Sequence, residues 1–345
     1  MKILNIMLSR DLGGIQQAFM DYSDALKSCG IEVINVISYR AKITSDSSFY
    51  KVVNLGVFDF ISVMQLKKII AKESPDLIIA HGNRAMNFLS KIHNKNAPTI
   101  GVSHNYKVKW LKTCDYVFAI TENLSDYLIT QGIKKDRIKL VSNMIHLDSK
   151  PVSRALEREV PIIGTMGRYV KKKGFDIFLT ALSLLKARGI KFKAVIGGGG
   201  EEEKSLKGLS DKLALSKHAS FIGWVENKEQ FFDSIDIFCL PSTHEPFGII
   251  LLEAMKYGVP IVSTASEGPS EIINDEYSGL LCSVFSASDM ADKLEQMLKE
   301  DGKRNKMVGN AYLSLVQNYD IKVVGKILKH HLEQILHDIS SNKAR

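Results

Sequence analysis

Residues 239–264 read CLPSTHEPFGIILLEAMKYGVPIVST and place two carboxylates, Glu245 and Glu253, either side of a Pro-Phe-Gly turn. Pro246 and Gly248 break regular structure, which puts Glu245 on a loop. From Ile249 to Tyr257 the composition is helical, and Gly258 followed by Pro260 is a stop signal. One acid therefore lies just ahead of a helix and the other about a turn and a half inside it. Free backbone N–H groups and the positive end of the macrodipole fall between them, a setting for an anionic or hydroxyl-rich ligand. A pair of glutamates at this spacing is common in itself, and the second could simply face solvent. The Pro-Phe-Gly turn and the Gly-x-Pro-Ile-Val strand that follows favour a site.

Outward from this stretch, short β-branched runs alternate with amphipathic ones, which argues for parallel sheets of βα units. In the first half the spacing predicts strands at 2–7, 32–37, 77–80, 99–102, 116–120 and 138–141. Helices are predicted at 15–29, 60–72, 83–94 and 122–131. The polar segment 146–160, which contains Pro151, reads as a linker. A second series of strands follows at 162–166, 192–197, 219–221, 237–240, 260–263 and 280–282. Its helices are predicted at 175–188, 201–214, 227–234, 249–257, 287–299 and 301–318, with an amphipathic helical tail from 321. The chain thus divides into residues 1–145, the linker 146–160, residues 161–320, and a tail at 321–345.

With 345 residues and 45% hydrophobic content, the chain is long enough for two ordinary domains. No run of eighteen uncharged apolar residues occurs, so no membrane-spanning helix is expected. The opening MKILNIMLSRDLGG reads as a first buried strand rather than a signal peptide, which implies a cytoplasmic protein. Four scattered cysteines lack metal-ligand spacing, so disulfides and zinc are not expected, and Cys114 and Cys239 read as core residues. Residues 1–150 carry 20 Lys+Arg against 13 Asp+Glu, whereas residues 151–345 carry 26 against 25. That imbalance gives the first half an anionic partner: nucleic acid, an anionic membrane face or a phosphorylated acceptor. No nucleic-acid-binding motif supports the first of these. Tyr106 to Lys112 interleaves three lysines with two aromatics, and Lys67, Lys68 and Lys72 crowd one helix. Such patches suit an anionic bilayer surface, here the cytoplasmic face of an inner membrane, or the binding of phosphorylated sugars, or else a solvated surface.

Other constellations flank predicted strand ends. Gly13-Gly14 opens the first helix, where the backbone can approach a ligand closely. A plain tight turn would use the same residues. The GxGxxG fingerprint with an acid at the end of strand two is missing, which counts against a dehydrogenase. Gly167-Arg168-Tyr169-Val170-Lys171-Lys172-Lys173-Gly174 puts a guanidinium and an ammonium on a loop ahead of a helix, a diphosphate clamp or a solvated basic loop. Gly197 to Gly200 reads as a close-approach loop whose ordering cost packing must offset. His104 follows a strand's C-terminal end, where α/β ligands bind. No Asp-x-Asp occurs, so a metal bridging a diphosphate is not indicated, and no cofactor is expected.

The EPFG…E segment, the GR-x4-KG loop at 167–174 and the glycine run ending in Glu201 closely resemble the signatures of the retaining family 4 glycosyltransferases. The resemblance spans the whole chain and is nearest to cell-envelope enzymes of the lipopolysaccharide type. It implies the GT-B architecture, two Rossmann-like doubly wound parallel-sheet domains facing a deep cleft, with the tail crossing back to the first. The implied reaction moves a hexose from a UDP- or GDP-linked donor to a glycan or lipid-linked acceptor. By resemblance, Gly13 and Gly14 lie beside the donor phosphates, Arg168 and Lys173 bind the diphosphate, and Gly197 and Gly199 lie under the nucleotide. Glu245, with the backbone of Phe247, Gly248 and Ile249, lies by the donor sugar; Glu253 holds the ribose and His104 faces the sugar. Gly223-Trp224 matches a position near the base, or else plugs a strand end, and Glu271 matches a recurring acid. The runner-up is a nucleotide-sugar 2-epimerase of the same architecture, whose family lacks the EPFG…E arrangement.

Overall fold

The computed structural model describes residues 1–9, 13–41, 48–56, 59–93, 96–147 and 158–343. Leu12, Asn94 and most of the expected linker, residues 148–157, lie outside the described residues. The chain divides into two units, Met1–His146 with Tyr319–Arg345, and Leu147–Asn318.

In the first unit the β-branched runs form β1 (Lys2–Met7), β2 (Glu32–Ser38), β3 (Tyr50–Val52), β4 (Leu77–His81), β5 (Thr99–Ser103), β6 (Tyr116–Ala119) and β7 (Ile138–Leu140). The helices between them are α1 (Gly14–Ser28), α2 (Phe60–Glu73), α3 (Asn83–Ser90) and α4 (Glu122–Thr130). The sheet runs β3-β2-β1-β4-β5-β6-β7 and every pairing is parallel. Helices cover both faces of such a sheet, so β4 and β5 bury every residue. Two helix starts follow from capping: Asp59 accepts from the Ser62 amide at α2, and Thr121 from Leu124 at α4.

The second unit contains β8 (Ile162–Arg168), β9 (Lys193–Gly199), β10 (Ala219–Gly223), β11 (Ile237–Leu240), β12 (Ile261–Thr264) and β13 (Leu280–Cys282). Its helices are α5 (Phe175–Ala187), α6 (Glu203–Lys212), α7 (Lys228–Ser234), α8 (Ile249–Lys256), α9 (Pro269–Ile272), α10 (Ala287–Lys299) and α11 (Asp301–Asn318). This sheet is also parallel, in the order β10-β9-β8-β11-β12-β13. The last helix, α12 (Ile321–Lys343), belongs to the first unit and packs on α1. Gly325 permits that contact: a Cβ there would lie 3.3 Å from the Ala25 carbonyl oxygen.

Some elements differ from the periodicity. Strand β3 has three residues, too few for a pattern to register. Helix α3 stops at Ser90, short of 94, because the amides of Lys91 and Ile92 turn back to the carbonyls of Phe88 and Leu89, tightening the last turn. The strand expected to end at Gly197 runs on through Gly198 and Gly199, which prolong β9 in register with Gly167 and Arg168 of β8 instead of forming a loop.

Candidate active site

Strand order reverses between β8 and β11, and in open parallel sheets ligands bind where the loops diverge at such a switch point. Here those loops are 169–174 after β8 and 241–248 after β11. They lock together through Gly174, whose φ of 64° already favours glycine, and where a Cβ would come 2.0 Å from the Pro241 carbonyl oxygen. The Thr243 amide donates to the Lys172 carbonyl at 2.8 Å. The result brings Lys173 onto Glu245: its ammonium donates to the carboxylate Oε2, and the two side chains are only 21% and 12% exposed. Ser242 Oγ donates to the same oxygen at 3.4 Å.

A second brace fixes the Glu245 loop from β12. Glu267 accepts from the Glu245 amide at 3.0 Å and pairs with His244 Nδ1, while the Gly268 amide donates to the Glu245 carbonyl at 2.9 Å. Burial pushes the Glu267 carboxyl up, but hydrogen bonds from its own amide, Glu245 and His244 outweigh this and hold it below the usual carboxylate range. In this segment the resemblance marked only Glu271 and gave Glu267 no part; a carboxylate's backbone partners leave no periodic trace. A Cβ at Gly268 would lie 2.3 Å from Phe247 Cα, against backbone that cannot swing aside. Gly268→Ala is therefore expected to cost about 3 kcal/mol or more in chemical denaturation and to remove most transferase activity. Wild-type values for both would refute the packing argument.

Glu253 projects from the second turn of α8 and is 8% exposed. Its Oε1 pairs with Lys228 at the start of α7, whereas Oε2 is buried with no hydrogen-bond partner among the described residues. Burial pushes this carboxyl up from its usual range, against the pull of Lys228 and Lys256. A half-satisfied buried carboxylate is costly, and an incoming hydroxyl donor would relieve it. Lys228 carried no sequence signal beyond following the α7 cap, Asn227.

Arg168 ends β8 with its side chain exposed and no ion-pair partner among the described residues. The neighbouring glycines have packing causes, from the segment after β10 and from the β8–β9 ladder. A Cβ at Gly197 would meet the Val225 side chain at 2.5 Å, and one at Gly198 the Gly167 carbonyl oxygen at 1.9 Å. Gly199 has space for a side chain apart from Glu203, at 3.9 Å. Trp224 is 55% exposed, so it does not plug the end of β10. Phe247 is buried, and Gly248 caps α8 at φ 97° with no side-chain cap on the first amides, those of Ile249 and Ile250.

In the first unit the order reverses between β1 and β4. Gly13 is the N-cap of α1 and Gly14 its first residue, and Ile15 lies against Gly82 at the end of β4. His104 follows β5 and stacks on His81, the last residue of β4, with 5.3 Å between ring centroids. His81 Nδ1 lies 3.1 Å from His104 Nε2, and His81 Nε2 is buried without a partner. Burial drives both imidazoles below their ordinary range, His104 to about 4, and the neighbouring ring lowers His81 further. A neutral pair shares one proton between the facing nitrogens. Placing it on His81 Nδ1 leaves an unpaired acceptor at Nε2 in place of a costlier unpaired N–H. His104 then carries its own proton on Nδ1 and offers a donor there. Because these histidines resist protonation when folded, the unfolded chain binds more protons below about pH 6.5. Stability is expected to fall as pH drops from 6.5 towards 4, by on the order of 2–3 kcal/mol for His104. Calorimetry of wild type and of His81→Asn/His104→Asn checks this: the variant's melting temperature should vary less with pH.

No helix among the described residues is long and apolar enough to cross a membrane. Cys114, Cys239 and Cys282 are buried free thiols.

Two family models match in succession: Glycosyltransferase Family 4 over residues 12–149 and Glycosyl transferases group 1 over residues 148–314. The lipopolysaccharide core biosynthesis glycosyltransferase LpsE of Rhizobium meliloti is 26% identical over 338 residues, covering 94% of this chain and 96% of its own. LpsD of the same organism is 25% identical over 337 residues, with the same coverage. Among solved structures, Anabaena Alr3699/HepE in complex with UDP and glucose matches at TM-score 0.82 and 18% identity, over 96% of this chain and 99% of that one. The apo lipopolysaccharide outer core galactosyltransferase WaaB matches at TM-score 0.80 and 17% identity, over 97% and 99%. With two parallel α/β units, the loops of a switch point closing on Glu245, and both family models satisfied, the chain belongs to the group 1 and family 4 glycosyltransferases and has the GT-B fold.

Proposed function

We propose that this glycosyltransferase is a retaining hexosyltransferase that takes a UDP- or GDP-linked hexose and extends a cell-envelope glycan such as a lipopolysaccharide core. It works without a bridging divalent ion, from the cytoplasmic face of the membrane. The observation that carries the donor assignment is the unpartnered buried oxygen of Glu253, one turn inside α8 and beside the Lys173–Glu245 pair's loop. A ribose hydroxyl donating to that oxygen satisfies it. The names of the Rhizobium relatives, matched over nearly their whole length, support the acceptor class. The complex of HepE with UDP-glucose supports a nucleotide sugar as donor.

In this reading Lys173 exchanges part of its contact with Glu245 for the donor diphosphate, and exposed Arg168 takes the same anion with its planar fork. Both cations stabilise the charge that grows on the departing phosphate as the sugar gains oxocarbenium character. Glu245 and the backbone of Phe247 to Ile249 position the sugar. In the first unit, the family pattern supports Gly13-Gly14 as a close-approach backbone and His104 Nδ1 as a donor to a hydroxyl. The bond from the anomeric carbon to the phosphate oxygen breaks, the acceptor oxygen bonds to that carbon, and the acceptor's proton passes to the leaving phosphate.

Thermal-shift titration with UDP, GDP, ADP and their sugars tests the donor, since a bound ligand raises the melting temperature by mass action. NMR of the product tests anomeric retention, and chelator-treated enzyme tests the metal. Isomerised free donor without transfer would instead favour the 2-epimerase, which the family matches do not.

A further inference from the structure

We propose that the outer face of α2 is the surface by which this protein docks on an anionic lipid bilayer. The proposal rests on the peripheral-membrane part of the function above and assigns it to particular residues.

Helix α2 buries Leu66 and Ile70 in the core of the first unit and leans Val63 and Ile69 against it. That is enough apolar surface to hold a helix of this length. Yet its opposite face keeps large apolar side chains in water: Phe60 is 70% exposed, Ile61 54% and Met64 44%. Leu55, 56% exposed, stands next to them, its amide held by the α2 cap Asp59. Residues 60, 61, 64, 67, 68, 71 and 72 share this face by helical periodicity, so Lys67, Lys68 and Lys72 continue the stripe that the apolar residues begin. Residues 60–72 contain no Asp or Glu; Lys72 donates to Tyr50 Oη at 2.8 Å and lies 3.9 Å from Glu73, whereas neither Lys67 nor Lys68 has an ion pair among the described residues. Apolar side chains beside Lys67 and Lys68 match a bilayer whose headgroups are anionic and whose acyl region lies just beneath.

The alternative occupants fit less well. In a two-fold dimer through this face, the lysines of both copies would meet like charges. The other basic patch, 106–112, spends its apolar residues inward. Val108 and Leu111 are buried, Trp110 packs on the core with Lys109 over its ring at 4.9 Å, and Tyr106 lies against Tyr127. That segment offers charge without an insertable side chain.

Vesicle co-sedimentation of the full chain decides it, using phosphatidylcholine alone and phosphatidylcholine with about 30 mol% phosphatidylglycerol. Wild type should bind the anionic vesicles, not the neutral ones, and release when salt rises from about 50 mM to about 500 mM. Ile61→Asp/Met64→Asp and Lys67→Glu/Lys68→Glu should each weaken binding at least about tenfold, while melting temperature and nucleotide response stay at wild type. If anionic vesicles bind but Lys107→Glu/Lys109→Glu abolishes binding and the α2 variants do not, the α2 assignment falls and the peripheral reading survives. If no vesicle binds, both fall. A dimer that Met64→Asp dissociates would show a second copy covering the face, which also overturns the proposal.

Discussion

Lys173→Ala is expected to lower kcat/KM roughly a thousandfold and to abolish the rise in melting temperature caused by the donor nucleotide. The size follows from what the side chain faces. Lys173 sits at the switch point, 21% exposed, against a carboxylate that is 12% exposed. Its ammonium is the partly buried cation at the mouth of the β8 and β11 loops, where charge on a departing phosphate is poorly screened by water. Removing it also strands Glu245. An unpaired, mostly buried carboxylate repels the donor's diphosphate and destabilises the loop. Two losses therefore add in the single variant, and Glu245→Gln separates them. Lys173→Ala/Glu245→Gln should regain the stability lost in Lys173→Ala without regaining activity, a strongly non-additive cycle. Denaturation curves and steady-state kinetics on the four proteins measure both. A double variant with near-wild-type transfer would remove Lys173 from the chemistry.

Glu253→Gln is expected to move stability and function in opposite directions. The carboxyl is held above its usual range by burial, so the ionised form present at neutral pH is a cost to the fold. A group raised in the native state binds its proton more readily there than in the unfolded chain. Its cost is present above the folded value and relieved as pH falls through it. The neutral amide removes that cost at every pH, and apo Glu253→Gln should melt about 2–4 °C higher than wild type at neutral pH. The donor should bind about a hundredfold more weakly, because a hydroxyl loses a charged acceptor. Its nucleotide-induced shift should vanish. A variant that melts lower and still responds to nucleotide would show that Lys228 satisfies Glu253 and that the unpartnered oxygen awaits nothing.

Periodicity carried the sheets because buried parallel strands are continuous apolar runs and their helices are amphipathic. It also placed Glu245 on a loop and Glu253 in a helix, from two prolines and two glycines. It failed where the determining contact is distant in the chain. His81 lies at the end of an apolar strand whose pattern looks complete without it, yet its ring sets the tautomer of His104. Lys228 reaches Glu253 across 25 positions, and Glu267 braces Glu245 across 22. The four glycines at 197–200 misled in a different way. Their composition describes a loop, but the strand runs on through Gly198 and Gly199, and at Gly198 the glycine answers crowding against the Gly167 carbonyl. Clusters of this kind are properties of the packed chain, and local propensity does not encode them.

The return of α12 to α1 has a consequence for biosynthesis. Residues 1–146 leave the ribosome long before 321–343, and meanwhile the α1 surface around Ala25 and Cys29 lacks its cover. The intervening 172 residues, Leu147–Asn318, can fold on their own contacts while the first sheet waits. A nascent chain arrested before α12 should hence present a finished second unit and a protease-sensitive first one.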